Sequence, residues 1–97
     1  MPDPEEIKNI INLCLEYKLE EATEYVEKII SEGYYYLDIV TSFVYVLSDF
    51  PMEESFRLKL IDVINKTKII VSTGLRSRLQ LTAMVCRLVK ICQENQK

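Results

Sequence analysis

The chain has no histidine and no tryptophan, and only two of its 97 residues are glycine. Gly33 and Gly74 lie far apart, whereas a P-loop and a dinucleotide-binding fingerprint both need clustered glycines. The lack of histidine removes the usual general base of serine and cysteine triads, and also the Glu-x-x-His unit of di-iron bundles. We therefore expect no catalytic residue and no bound cofactor in this chain, which is predicted not to be an enzyme by itself.

Cysteine is also scarce. Cys14, Cys86 and Cys92 form no Cys-x-x-Cys pair, and without histidine nothing completes a set of zinc ligands. All three lie in apolar helical patterns, which predicts reduced thiols that pack in the core of an intracellular protein. The sequence therefore predicts no metal site.

Long apolar runs are absent as well. No segment approaches the roughly 20 apolar residues of a membrane span, because Asp38, Thr41, Ser42 and Ser48 interrupt the longest one. The opening residues, MPDPEE, lack the basic and apolar regions of a signal peptide. We expect no membrane partner.

What is present is typical of one globular domain, with 48% hydrophobic and 28% charged residues. The net charge of -3 hides an asymmetry. Residues 1–54 carry 13 acidic and 3 basic side chains (-10), whereas residues 55–97 carry 2 acidic and 9 basic ones (+7). The domain is therefore predicted to be a strong charge dipole.

Apolar residues recur at helical spacing in five segments, which predicts an all-α, single compact bundle with short connections. The first helix is predicted to have Asp3 as N-cap, Pro4 at its first position and Glu6 as capping-box partner, and to run to about Leu15. The later helices are predicted to end, in turn, near Gly33, Pro51, Gly74 and Gln93.

The third helix is predicted to be the central one. Its apolar stripe is Leu37, Val40, Phe43, Val44 and Leu47. Further apolar residues beside this stripe indicate that the helix is covered on more than one side. The fourth helix, whose stripe includes Ile70, and the fifth are predicted to be the longest. Lys68–Val71 is β-branched but is kept helical, because no second strand signal exists to pair with it.

The stretch TGLRSRLQL joins the fourth helix to the fifth. Gly74 is expected to end the fourth helix in a left-handed cap, with Arg76 and Arg78 exposed on the first turn of the fifth. The alternative is an anion site, because free N–H groups at a helix N-terminus and two arginines suit a phosphate.

The end of the same stretch is predicted to dock the fifth helix. Leu79 and Leu81 are expected to face the bundle. Gln80 lies between them, and if it is buried it must bond to a neighbouring backbone group, because a lone buried amide costs about 1–3 kcal/mol.

Three tyrosines, Tyr34, Tyr35 and Tyr36, follow Gly33 directly. Aromatic rings stack on unpaired bases, but the basic residues that usually flank such a platform are missing here. Tyrosine also suits a position where its ring packs and its hydroxyl stays in water. We expect these tyrosines to pack in the core or in an interface.

Beyond these patterns, several residues fall in a recognisable order. In the first half they are Cys14, Glu21, Ala22, Glu32, Gly33, Tyr34, Asp38 and Ile39. In the second half they are Phe50, Met52, Glu54, Leu58, Lys59, Leu60, Ile64, Thr67, Ile70, Gly74, Ser77, Leu79, Gln80, Leu81, Arg87 and Leu88. Over nearly the whole chain this order resembles the C-terminal collar domain of the small subunits of replication factor C, the eukaryotic sliding-clamp loader. It is nearest to the subunit called 2 in animals and 4 in budding yeast.

The resemblance implies a collar domain over residues 1–97 that joins subunits. In that family five subunits assemble through their collars into a ring in the nucleus. Their ATPase modules, which bind ATP and Mg²⁺, open the sliding clamp and place it on primer-template DNA. This chain does not contain the ATPase module. Its expected partners are other replication factor C subunits, with the clamp and DNA reached only through the whole complex.

Two questions stay open at this point. The acidic half either attracts the basic half of a neighbouring subunit or neutralises the basic half within one bundle. A rival function is a small helical DNA-binding module that uses the basic last helix. The candidate interface or structural residues are Tyr34, Tyr35, Gly74, Arg76, Arg78, Gln80 and Arg87.

Overall fold

A computed structural model describes residues 1–95, which form five α-helices joined by short connections. The helices are α1 (Pro4–Leu15), α2 (Leu19–Ser31), α3 (Tyr36–Asp49), α4 (Glu54–Val71) and α5 (Ser77–Glu94). The predicted all-α bundle is confirmed, as is the helical assignment of Lys68–Val71. α4 and α5 are the longest helices of the described chain, with 18 residues each. Residues 96 and 97 of the predicted domain lie outside the described part.

The start of α1 follows the predicted chemistry in part. Asp3 is the N-cap, since its Oδ1 accepts a hydrogen bond of 2.9 Å from the Glu5 N–H, and Pro4 occupies the first helical position. The capping-box role of Glu6 is wrong. Its Oε2 is buried with no hydrogen-bond partner among residues 1–95, and its carboxylate accepts no bond from the Asp3 N–H.

The corner between α3 and α4 is held by an arginine to which the sequence patterns gave no role. Phe50 ends α3 in an extended conformation (φ -74°, ψ 133°), as expected of a residue before proline. The guanidinium of Arg57 in α4 then donates to the carbonyl of Leu47 and, at 3.3 Å, to the carbonyl of Met52. Arg57 thereby adds a second donor to the Leu47 carbonyl, which also accepts from the Phe50 N–H at 3.3 Å.

Left-handed residues follow three of the helices. Gly33 and Gly74 have φ values of 93° and 79°, which glycine adopts without the penalty of a Cβ atom. The Gly74 N–H donates to the Val71 carbonyl at 2.9 Å, so the predicted left-handed turn at Gly74 is confirmed. Tyr17, with φ 63°, takes the same conformation after α1.

The core draws on all five helices, and α5 lies at its centre. α5 packs against each of the other four helices, whereas α3 packs mainly against α1, α4 and α5. The prediction that α3 is central is therefore wrong, although α3 is covered on more than one side. The largest fully buried side chains are Phe43, Ile7, Ile10, Ile29, Ile39, Leu47, Ile64, Leu81, Met84, Val26, Val40 and Val85.

Four residues that the patterns placed inward are exposed instead: Leu37, Ile70, Leu79 and Cys86. On α5 the reason is the helical step of about 100° per residue. Leu81 and the other buried residues of α5 lie on one side of the helix, which leaves Leu79 and Cys86 on the opposite side.

The other two cysteines are buried, as predicted. Burial raises the pKa of Cys14 to about 12 and the pKa of Cys92 to about 11. A buried thiolate would lack the water that stabilises its charge. Both side chains are therefore neutral thiols at ordinary pH, and they serve as small apolar packing groups.

Candidate functional site

The start of α3, the end of α4 and the start of α5 meet at one end of the bundle. Two open grooves cross this end and share Tyr36, Gly74 and Ser77. The larger groove, of about 600 Å³, is also lined by Glu27, Arg76, Arg78, Leu79 and Thr82. The smaller one, of about 360 Å³, is also lined by Tyr35, Leu37, Asp38 and Val71. These residues, together with Leu75, are called the joint patch.

The joint patch presents large apolar side chains to solvent. Tyr35 is 80% exposed, Leu75 68%, Leu79 57% and Leu37 40%. Adjacent exposed apolar groups on a protein surface are typical of an interaction site. Tyr34, by contrast, is half-buried and packs against the core. The three successive tyrosines thus divide between packing and surface display.

The two arginines of the joint patch differ in setting. The prediction that Arg76 lies on the first turn of α5 is wrong. Arg76 is the residue before the helix, with a left-handed backbone (φ 51°, ψ 40°). Arg78 lies inside the helix, and its Nη2 is 4.0 Å from a carboxylate oxygen of Glu27 in α2. A phosphate at this helix start would therefore lie close to a carboxylate, which disfavours the alternative of an anion site.

Three candidate residues lie outside the joint patch: the half-buried Tyr34, Gln80 and Arg87. Gln80 is only half-buried, so it does not meet the condition for the predicted docking bond. Arg87 is exposed and lies about 13 Å along the helix from Arg78, at 1.5 Å per residue. The structure thus brings together Tyr35, Gly74, Arg76 and Arg78 of the candidate residues.

Three contributors to the joint patch were missed by the sequence patterns. Glu27 comes from α2, far away in the chain, and no local pattern links it to Arg78. Leu37 and Leu79 were assigned to the core because both fall in apolar helical patterns. The exposure of Leu75 could have been predicted from the sequence, because this apolar residue lies between Gly74 and Arg76 and belongs to no apolar stripe.

A third open groove, called the acidic groove, lies between α1 and α2. Its lining residues are Asn9, Asn12, Leu13, Glu16, Glu21, Glu24, Tyr25 and Lys28. The Asn9 side-chain amide donates to the Tyr25 hydroxyl at 3.4 Å, and the Lys28 Nζ lies 5.4 Å from the centre of the Tyr25 ring. Three carboxylates against one ammonium group make the groove acidic, while Leu13 and the Tyr25 ring add apolar surface.

The opposite charges of the two halves are mostly not paired with each other inside the bundle. Three ion pairs of the described residues are local and lie within one half: Lys8 with Glu5, Lys18 with Glu16 and Lys66 with Asp62. A fourth joins Glu54, the last residue of the acidic half, to Arg57 of the basic half within α4. Among residues 1–95, only Arg78 and Glu27 link α1 and α2 with α4 and α5. This pattern favours charges displayed outward over neutralisation within the bundle.

Within residues 1–95, no group of three His, Cys, Asp or Glu side chains is placed to hold a metal ion. None of the helices described is long and apolar enough to cross a membrane.

Known proteins are similar to this chain over most of its length. The family model described as the replication factor C C-terminal domain matches residues 2–87. A protein of Acanthamoeba polyphaga mimivirus, named as a replication factor C small subunit, is 55% identical over 96 residues, which cover 99% of this chain and 30% of the relative. Replication factor C subunit 4 of Schizosaccharomyces pombe is 31% identical over 90 residues, which cover 92% of this chain and 26% of the relative.

Replication factor C subunit 4 of Oryza sativa subsp. japonica is 26% identical over 90 residues, which cover 93% of this chain and 27% of the relative. The chain thus spans between 26% and 30% of the length of these relatives. The resemblance drawn from the order of residues is confirmed. Because the family model matches most of the chain, the chain belongs to the family of replication factor C C-terminal domains.

Proposed function

We propose that this chain is the subunit-assembly domain of a clamp-loader small subunit, and that it joins replication factor C subunits into the ring that loads the sliding clamp in DNA replication. The observation that supports this role most strongly is the joint patch. Leu75 and Leu79 are more than half exposed at the end of the bundle where α3, α4 and α5 meet. Such side chains gain free energy when a partner removes them from water.

The size of the domain is compatible with two neighbours. The accessible surface of the described chain is 5800 Å². A standard interface covers about 800 Å² on each partner, so two neighbours in a ring would cover roughly a quarter of this surface. The outward display of opposite charges on α1–α2 and on α4–α5 also suits a subunit with two different contact surfaces.

The remaining functions belong, in this proposal, to the rest of the whole subunit. ATP and Mg²⁺ would bind to an ATPase module, while the sliding clamp and primer-template DNA would be contacted through the whole complex. The proposed place of action is the nucleus. The chain itself is proposed to carry no catalytic step.

DNA binding by α5 is the second candidate. Arg87 and Lys90 are exposed three residues apart on this helix, so their side chains lie on neighbouring turns and both can reach phosphates. The test is binding of duplex and single-stranded DNA by the chain at low and moderate salt. Phosphate contacts require affinity that falls steeply with salt, and a lack of binding at low salt would remove this candidate.

The assembly function is tested by expressing this chain together with the other replication factor C small subunits of its source organism. We expect the chain to co-purify with at least one of them as a complex of defined mass. Replacing Leu75 and Leu79 by serine should reduce the yield of complex strongly, because apolar contact area is lost.

Leu58 provides the matched control, because it is 58% exposed on α4, outside the joint patch, against 57% for Leu79. Leu58→Ser should leave assembly unchanged. A chain that co-purifies with none of the other subunits would refute the proposed function. An equal loss of assembly in both variants would show that the joint patch has no special part in it.

A further inference from the structure

We propose that the acidic groove binds a flexible basic segment of another protein, in which an apolar side chain lies next to Lys or Arg. This inference goes beyond the assembly function proposed above and does not depend on it. The groove has a volume of about 600 Å³, within the range of pockets that enclose a small ligand. A few residues of an extended chain fit such a volume, whereas a folded domain does not.

The groove is open to solvent along two helices. All its lining residues belong to α1, α2 or the connection between them, so no third helix of the described chain closes it. On each wall the side chains recur at helical spacing, which places them in one stripe. One stripe is Asn9, Asn12, Leu13 and Glu16, and the other is Glu21, Glu24, Tyr25 and Lys28.

The groove offers apolar surface between its charges. Leu13 and the Tyr25 ring are partly buried and pack against the core, and both also line the groove. The Asn9 side-chain amide donates to the Tyr25 hydroxyl at 3.4 Å, so the ring reaches from α2 towards α1. An apolar side chain that covers Leu13 and Tyr25 would leave water, which favours binding. The groove therefore suits a ligand with an apolar residue.

The charges of the groove are unevenly placed along its length. Glu21 lies near the start of α2, and Glu16 is the first residue of the connection after α1. Lys28 lies about 6 Å farther along α2 than Glu24, at 1.5 Å per residue. Its Nζ is 5.4 Å from the centre of the Tyr25 ring, and this attraction holds the ammonium group there. Positive charge in a ligand is therefore attracted to the carboxylate end and repelled at the Lys28 end.

The carboxylates of the groove are available to a ligand. Glu21 and Glu24 form no ion pair within residues 1–95. Glu16 lies 3.2 Å from the Lys18 Nζ, but both side chains are about half exposed, and water and salt weaken such a pair. Residues 1–33 carry 9 acidic and 3 basic side chains (-6). The field around the groove therefore attracts a basic segment and repels nucleic acid.

The test uses short synthetic peptides and this chain labelled with ¹⁵N. The basic peptide is acetyl-Gly-Lys-Leu-Lys-Gly-amide. One control peptide replaces its leucine by glycine, and a second replaces both lysines by glutamate. Backbone amide signals, followed during titration at about 0.15 M salt, give the dissociation constant and the residues affected.

Three variants of the chain separate the groove from a general attraction by charge. The first carries Glu21→Gln and Glu24→Gln, which remove two carboxylates of the groove. The matched control carries Glu20→Gln and Glu32→Gln, the same change of net charge at exposed residues on or directly after α2, outside the groove. The third variant carries Lys28→Gln. Circular dichroism verifies that each variant folds.

The basic peptide should change the signals of residues 9–16 and 21–28 in the wild-type chain. Loss of the two groove carboxylates should weaken its binding about fivefold or more, because two charge pairs are lost, while the matched control should change it by less than about twofold. Lys28→Gln should strengthen binding about two- to fivefold, because a repelling charge is removed. The glycine peptide should bind at least about fivefold more weakly, since it lacks the apolar contact. The glutamate peptide should not bind.

Several results would overturn the inference. Groove signals that do not respond to the basic peptide would exclude the site. Equal weakening in the groove variant and its matched control would mean general attraction by charge, and equal binding of the leucine and glycine peptides would exclude the apolar contact. Groove signals that depend on protein concentration without peptide would make a second copy of this chain the occupant instead. None of these results bears on the assembly function, which co-purification tests separately.

Discussion

The two sides of the bundle differ in how many large apolar residues they expose to solvent. Before Tyr34, the exposed ones are Met1, Tyr17 and Leu19, and two of these lie close to the connection after α1. From Tyr34 onward the exposed ones are Tyr35, Leu37, Tyr45, Leu58, Ile69, Ile70, Leu75 and Leu79. The α1–α2 side thus buries its apolar residues and presents charge, whereas the α3–α5 side also presents apolar surface.

This difference separates residues that hold the fold from residues that are available to a partner. A buried side chain on either side contributes to the free energy of unfolding, because its apolar area leaves water on folding. An exposed leucine of the joint patch contributes little to folding and gains only when another chain covers it. Variants that contrast buried and exposed residues of the same type therefore test the comparison directly.

The largest expected contrast is between thiols. Cys14 on the α1–α2 side and Cys92 in α5 are buried, whereas Cys86 in α5 is exposed. Cys86 should react quickly with a thiol reagent in the native protein. Cys14 and Cys92 should react at least about 10³-fold more slowly, because the chain must unfold before the reagent can reach their thiols. Cys86→Ser should remove the fast phase, and two fast thiols in the wild-type protein would contradict the assigned burial.

The burial of Cys14 also sets a direction of pH dependence. Burial raises its pKa from 9.0 to about 12, so the folded chain keeps this proton at pH values where the unfolded chain loses it. The stabilising contribution is therefore complete below pH 9 and is lost as the pH rises towards 12. Between about pH 9 and pH 12, the free energy of unfolding should fall more steeply in the wild-type chain than in Cys14→Ala. Equal slopes would refute this.

Two leucines of α5 provide the next contrast. Leu81 is fully buried and Leu79 is 57% exposed. Leu81→Ala should lower the free energy of unfolding by about 2–5 kcal/mol, since it leaves a cavity in the core. Leu79→Ala should change it by no more than about 0.5 kcal/mol. Urea denaturation measures both, and a similar loss for the two variants would break the distinction between fold and partner surface.

Two basic residues of α4 extend the contrast to charge. The Arg57 side chain is only 14% exposed and bonds with backbone carbonyls at the corner between α3 and α4. Arg57→Ala should cost about 1–3 kcal/mol, because the hydrogen bonds from the charged guanidinium to the Leu47 and Met52 carbonyls are lost. Lys59, exposed on the same helix, provides the control, and Lys59→Ala should cost less than about 0.5 kcal/mol. Equal midpoints in urea for Arg57→Ala and the wild-type chain would exclude the corner role.

The smallest effect is expected for the ion pair between the two sides. Arg78 and Glu27 are both about half exposed and 4.0 Å apart. A double-mutant cycle with Arg78→Met and Glu27→Gln should give a coupling energy between about 0 and 1 kcal/mol. A coupling well above this range would mean that the two sides are joined electrostatically within the chain, contrary to the outward display of charge.

Much of the fold followed from the sequence because helices depend on local spacing. Asp3 with Pro4, Gly33, Gly74 and the proline after Phe50 mark helix ends through their own backbone chemistry, and each marks one here. The central position of α5 was not accessible in this way. It depends on how five apolar stripes share one core, and several helices carry apolar residues on more than one face.

The site was predictable only where it is local. Gly74, Arg76 and Arg78 lie close together because they share one connection. Glu27 and Leu37 join them only through packing of distant segments, so no spacing rule reveals them. Leu79 and Cys86 were misassigned for a physical reason: an apolar residue type favours burial, but folded proteins also keep many apolar residues on their surface.

The most direct test of the account is to map the surfaces that another subunit covers. Backbone amide signals of this chain, labelled with ¹⁵N, are compared with and without an unlabelled replication factor C small subunit. We predict that signals change at Tyr35–Leu37 and at Leu75–Leu79, while the outward face of α4 around Leu58 stays unchanged. Binding that changes the signals around Leu58 and leaves the joint patch unaltered would contradict it.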